Sequence, residues 1–196
     1  MRMKNLEQIY NEFVDKDIIK PEDDFYTNSY PHYVNFFAQK KEFTKEDIIL
    51  GMGLVYSWMP TMPKNINFKK LEEALPILNR AKNGGIVGKD EYVVLKSLCN
   101  NSLVGASKLL HFINPEQYAI WDRKIYAYLY QERADTNRVE NINKYMDYLA
   151  LVNKISQSHL FEPIITKIQT QFKQPFSKFR AIEWMLFSYN TFKKEH

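Results

Sequence analysis

The stretch Leu98–Leu129 reads LCNNSLVGASKLLHFINPEQYAIWDRKIYAYL, and its punctuation decides the fold. Asn100-Asn101-Ser102 is a tight turn of residues that favour turns, set between two apolar segments. Upstream, Lys89 to Cys99 has helical spacing, and Tyr92-Val93-Val94-Leu95 sits inside that pattern rather than forming a strand. Downstream, a second helix runs through Lys108 to Phe112. Asn114-Pro115 breaks it, because a residue before proline is pushed out of helical backbone. Asp122 reads as the cap of another helix, Arg123 to Gln131. The outcome is a helical hairpin near residues 89–112, with Gly105 at the entry to its second helix.

The same period extends in both directions. Leu6, Ile9, Tyr10, Phe13 and Val14 make one apolar stripe. Lys16 to Pro31 is polar and turn-like, with Pro31 placed to open a short aromatic helix, Tyr33 to Gln39. Thr44 with Asp47 forms a capping box for Ile48 to Met59, which Pro60 and Pro63 end. Asn67 caps Phe68 to Lys82, a segment interrupted at Pro76 and stopped by Gly84-Gly85. Three more helices, Val139 to Ser156, Pro163 to Phe172 and Ser177 to Lys193, complete the chain. No alternating strand of useful length interrupts them. The expected class is all-α: one compact domain over residues 1–196, with about eight to ten helices and a hairpin core over about residues 88–131.

Composition narrows the function. The 196 residues are 45% hydrophobic and 26% charged, which excludes wholesale disorder and a collagen-like chain. Aromatics reach 15%, with thirteen Phe, thirteen Tyr and three Trp, so some rings are candidates for stacking on a ligand. Six glycines form no phosphate loop of the P-loop or dinucleotide type. Cys99 is the one cysteine, which rules out an internal disulfide and a thiolate-rich zinc site. The histidines lack metal-ligand spacing, so neither a metal nor a cofactor is expected. There is no signal peptide and no apolar run of membrane length, which points to a cytoplasmic protein off the membrane. A net charge of +4 permits an acidic partner such as nucleic acid without demanding one. No obligate protein partner is evident.

Chemistry concentrates in the opening stretch. At a helical hairpin the free N–H groups of the second helix can take a phosphate, which makes Ser102 and Gly105 candidate DNA contacts. Lys108 lies within the first turn after Gly105, and Asp122 follows beyond a Pro-containing turn. This arrangement resembles the helix-hairpin-helix DNA glycosylases, the superfamily of endonuclease III and the 8-oxoguanine glycosylases. Those proteins carry a Gly-containing hairpin, a lysine inside its second helix in bifunctional members, and an Asp opening a later helix. Here Ile120-Trp121-Asp122-Arg123-Lys124-Ile125 matches the last feature, and the likeness covers Gly88 to Tyr130. Strings such as YSWMPT and VGASKLLHFINP extend it to bacterial proteins of repair, or of defence against phages with modified bases.

The resemblance implies removal of a damaged or modified base from DNA, with or without a lyase step. Asp122 would stabilise charge at the sugar or activate the nucleophile, and Lys108 would attack C1′. Trp121, Trp58, Tyr126 and His111 would line the base pocket, and Arg123 and Lys124 would join Ser102 and Gly105 on phosphate. One departure matters. Ser102-Leu103-Val104-Gly105-Ala106-Ser107-Lys108 has an extra residue before the lysine, so alignment on Gly105 puts Ser107 at the lysine position. One residue turns a helix by about 100°, which decides whether Lys108 faces the site. The absence of a four-cysteine set excludes the iron–sulfur subfamilies.

Each of these residues also has a plain structural reading. Asp122 is then an N-cap, Lys108 a solvated charge and Gly105 a close-packing glycine. His111 becomes a buried structural histidine, the rings become core, and Arg180 with Glu183 becomes a local ion pair. Two other functions compete accordingly: a non-catalytic nucleic-acid-binding hairpin module, and a helical interaction protein of a defence system. The enzyme reading requires Asp122 and Lys108 to line one cleft, with Trp121 or Trp58 near its wall.

Overall fold

The computed structural model describes residues 2–16, 24–58, 67–172 and 176–192. Among them the chain forms eleven α-helices, one 3₁₀ turn and no strand. In order they are α1 (Leu6–Phe13), α2 (Phe25–Ala38), α3 (Lys45–Ser57), the 3₁₀ turn η1 (Phe68–Lys70), α4 (Leu71–Lys82), α5 (Lys89–Leu98) and α6 (Leu103–Ile113). Then come α7 (Arg123–Tyr130), α8 (Thr136–Val139), α9 (Ile142–Ser156), α10 (Glu162–Gln171) and α11 (Lys178–Phe192). The all-α class is as the periodicity requires.

Side-chain caps set most starts. Thr44 and Asp47 close their capping box on α3, and Asp122 Oδ1 accepts the Ile125 N–H at 2.8 Å to open α7. Between α5 and α6, Asn100 and Asn101 both take left-handed backbone, with φ of 57° and 53°. Asn accepts that conformation at lower cost than other side chains.

Three boundaries differ from expectation. α2 begins at Phe25, inside the stretch read as a turn, because Asp24 caps it through the Thr27 N–H at 2.7 Å. Pro31 therefore lies inside α2, where the buried stripe Tyr30, Tyr33 and Phe37 compensates the lost hydrogen bond. Pro76 does not interrupt α4, whose buried face runs continuously from Leu71 to Ala81. The helix expected from Val139 splits into α8 and α9, because Asn141 caps the latter by accepting the Lys144 N–H at 3.3 Å. Pro60 and Pro63, read as helix ends, lie outside the described residues, as does Lys193.

α6 is the central element. Every residue in it except Val104 and Lys108 is buried, so it must be covered on nearly all sides. Helices α2, α3, α4 and α5 pack around it, while α7, α9 and α10 gather on α11. Gly105 makes the hairpin tight: a Cβ there would lie 3.2 Å from the Tyr56 hydroxyl and 3.3 Å from Cys99 Cβ. Lys108 projects from α6 toward the seam where the two groups of helices meet.

Candidate active site

Four charged side chains lie within electrostatic reach of one another at that seam. Lys108 comes from α6, Asp122 from the cap of α7, and Arg180 and Glu183 from successive turns of α11. Lys108 is half-buried, and its Nζ lies 5.2 Å from the centroid of the Trp58 ring. Arg180 places its guanidinium carbon 5.4 Å from the same ring, 4.9 Å from Tyr30 and 5.5 Å from Phe176. One indole thus supports two cations, both attracted by its negative π face. Arg180 also pairs with Glu183, which is only 3% exposed, and both lie inside the aromatic shell.

Electrostatic shifts follow from this burial. Desolvation pushes the Lys108 ammonium below its ordinary pKa; Asp122 and Glu183 oppose the shift, while Arg180 reinforces it. Desolvation raises the Asp122 carboxyl, opposed by the Ile125 N–H and by Lys108. Glu183 is also raised by burial, against Arg180, and the Asp122 charge adds to the rise. The site therefore joins an amine that gives up its proton more readily than usual to carboxyls that hold theirs more firmly. Such a set can supply a nucleophile, an anion for a developing cation, and a proton acceptor.

The register question has a geometric answer. Ser107 is fully buried, its Oγ accepting the Trp121 N–H at 3.0 Å and donating to the Val104 carbonyl at 2.9 Å. Lys108, one residue on, faces the charge cluster.

The proposed base-pocket residues divide. Trp58 lies against Lys108 and Arg180, with its Nε1–H donated to the Tyr26 carbonyl at 3.2 Å. Trp121 is wholly buried, donates Nε1–H to the Val139 carbonyl at 2.8 Å, and packs on Tyr148. Tyr126 meets Trp121 edge-on, stacks on Tyr130 and is hydrogen-bonded to Glu132 and Lys144. His111 is buried with both ring nitrogens engaged: Nδ1 lies 2.7 Å from the Tyr118 carbonyl, and Nε2 lies 2.9 Å from the Tyr30 hydroxyl. A carbonyl can only accept, so Nδ1 carries the proton and Nε2 accepts from Tyr30. Burial lowers His111 to about 3, which makes it neutral at ordinary pH. Its ring supports the cluster through Tyr30.

The phosphate candidates divide as well. Ser102 caps α6 by accepting the Gly105 N–H at 3.2 Å. The Leu103 N–H donates to Glu140 Oε2 at 2.7 Å, and Lys96 pairs with the same oxygen at 3.0 Å. The anion that the α6 N-terminus attracts is thus one of the chain's own carboxylates. Arg123 and Lys124 are exposed on the first turn of α7; Arg123 donates to Thr136 Oγ1 at 3.1 Å, and Lys124 Nζ lies 4.2 Å from the Phe187 ring.

Sequence reading missed Arg180 and Glu183 as site residues, along with the supporting Tyr30, Phe176 and Tyr148. Opposite charges three apart on a helix look the same on a solvent face. The available clue was their apolar company, Phe179, Ala181, Ile182 and Trp184. No group of three or more metal-ligating side chains occurs among the described residues, and no helix there is long and apolar enough to cross a membrane. No protein-family model, curated protein or solved structure matches the chain.

Proposed function

We propose that this chain is a DNA glycosylase that removes a damaged or modified base, working in the cytoplasm in repair or in defence against phage DNA. The observation that carries the reading is that Lys108, its Nζ 5.2 Å from the centroid of the Trp58 indole, and Asp122 are both half-buried and within electrostatic reach of each other. Breaking the bond between base and C1′ builds positive charge on the sugar, which Asp122 stabilises from the N-terminus of α7. Lys108, eased toward its neutral form by desolvation, attacks C1′ and carries the lyase step. Trp58 offers the stacking surface for an extruded base, and Lys124 lies beside Asp122 for the flanking phosphate.

The test uses duplex oligonucleotides carrying a panel of modified bases, scored for base release, strand scission and borohydride-stable protein–DNA adducts. Wild-type protein is expected to release one class of base and to form the adduct. Lys108→Gln should abolish the adduct, and Asp122→Asn should lose most base release while still binding DNA. Base release by Asp122→Asn at the wild-type rate would refute the role given to that carboxylate.

A further inference from the structure

We infer that Phe25 and Tyr26 form a stacking platform for unpaired bases, and that the chain therefore prefers single-stranded DNA to intact duplex. That the partner is DNA rests on the glycosylase reading. The platform rests on the placement of the rings.

The two residues open the first turn of α2, and both stand in solvent, Phe25 at 58% exposure and Tyr26 at 44%. Single exposed rings are ordinary on a protein surface, but these two adjoin each other and lead inward. Phe25 and Tyr26 meet edge-on with centroids 6.0 Å apart. Tyr26 meets Trp58 in the same way at 5.6 Å, and its carbonyl accepts the indole Nε1–H at 3.2 Å. Trp58, only 7% exposed, in turn carries the Lys108 ammonium 5.2 Å from its centroid. A strand reaching this side of the molecule meets Phe25 and Tyr26 before the indole.

The angles between the rings select the kind of strand. The planes of Phe25 and Tyr26 cross at 73°, and those of Tyr26 and Trp58 at 83°. A base lying flat on one ring is therefore nearly perpendicular to a base lying flat on the next. Bases inside a duplex are parallel and cover one another, so a duplex offers a free base face only at an end or a gap. An unpaired strand exposes the face of every base, and its flexible backbone can turn from ring to ring.

Charge complementarity favours a nucleic acid over an apolar partner. Arg180 is paired with Glu183, whereas Lys108 has no carboxylate within ion-pair distance among the described residues. The inner end of the row thus suits a ligand that brings electron-rich groups, as a nucleotide does in its sugar and base. A purely apolar protein surface brings none. Arg123 and Lys124, exposed on the first turn of α7 next to Asp122, can meet the phosphates, and the chain as a whole carries a net charge of +4. Asp24, the acidic neighbour of the platform, is engaged as the α2 cap, accepting the Thr27 N–H at 2.7 Å.

Fluorescence anisotropy with three probes tests this: a labelled oligothymidylate, the same strand annealed to oligodeoxyadenylate, and a strand of abasic linkers with the same number of phosphates. Wild-type protein is expected to bind the single strand about tenfold or more tighter than either of the others. Phe25→Ala and Tyr26→Ala should each weaken single-strand binding by about fivefold to a hundredfold and change duplex binding little. Phe25→Leu should lose as much as Phe25→Ala, because an aliphatic side chain has no π face, whereas Phe25→Tyr and Tyr26→Phe should keep the affinity. Both side chains are exposed, so the variants should fold, which circular dichroism checks. Equal wild-type affinity for the abasic strand, or a double alanine variant that binds the single strand as wild type does, overturns the inference. Base release from duplex by that same wild-type protein would then keep the glycosylase reading intact. Tighter binding of oligouridylate than of oligothymidylate assigns the rings to RNA, and self-association lost in the double variant assigns them to a second copy of the chain; either overturns the inference. A wild-type protein that binds no DNA and releases no base overturns both readings.

Discussion

At the scale of single residues, His111 makes the most direct statement about stability. It is buried, neutral and held between Tyr118 and Tyr30, with its pKa lowered to about 3. In the unfolded chain an imidazole titrates near ~6.5, so the unfolded state binds a proton that the native state refuses. Stability contributed by this group is therefore present above about pH 6.5 and is lost as the pH falls toward about 3. Urea denaturation at steps from pH 7 to pH 4 should show a loss on the order of several kcal/mol, with a shallower slope in His111→Asn. Equal slopes for the two proteins would show that His111 does not carry the effect. Asp122 and Lys108 were legible from sequence because each stands in a local string with its own grammar, a cap after a turn and a cation after a hairpin glycine. Arg180 and Glu183 were not, because what makes them unusual is burial among rings from α2 and α3, and no local spacing records that. Trp121 and Tyr126 had the aromatic type expected of a base pocket, but neighbouring backbone and carboxylate groups already engage their polar atoms.

At the scale of elements, the start of α6 is the instructive case. The hairpin itself was readable, since Asn100-Asn101-Ser102 and Gly105 are local signals. That its free N–H groups are met by Glu140 was not, because Glu140 lies beyond α7, at the end of α8. The carboxylate does two jobs there, accepting the Leu103 N–H and pairing with Lys96. Glu140→Ala leaves the buried Leu103 N–H without its acceptor and Lys96 with only the backbone carbonyl of residue 140, 3.1 Å away, which should cost about 1–3 kcal/mol in chemical denaturation. Glu140→Gln keeps one acceptor oxygen and should cost less. A Glu140→Ala protein as stable as wild type would mean that solvent replaces the carboxylate at no cost. Helix ends were the least legible elements. Pro31 and Pro76 both carry strong breaking signals, yet buried stripes in α2 and α4 override them.

At the scale of the whole molecule, basic side chains are spread along the chain, so any grip on DNA is assembled from several elements. Binding should weaken as salt rises, because each phosphate neutralised releases counterions. Lys124→Ala, removing an exposed charge beside Asp122, should lower the magnitude of the slope of log K against log salt by about 1. Lys108→Gln should leave that slope nearly unchanged, because the lysine lies in the cluster and not on the phosphate path. Equal slope changes for the two variants would place Lys108 on the backbone of the DNA instead. The all-α class and most helices were plain from periodicity, whereas the meeting of α2, α6 and α11 depends on contacts between distant parts of the chain. That distance also sets a timetable for synthesis. A ribosome delivers Lys108 and Asp122 well before α11 emerges, so for a time the seam beside α6 lacks the buried Arg180–Glu183 pair. The charge cluster is complete only when α11 docks, and a chain cut short before Arg180 would carry the hairpin without the Arg180–Glu183 pair.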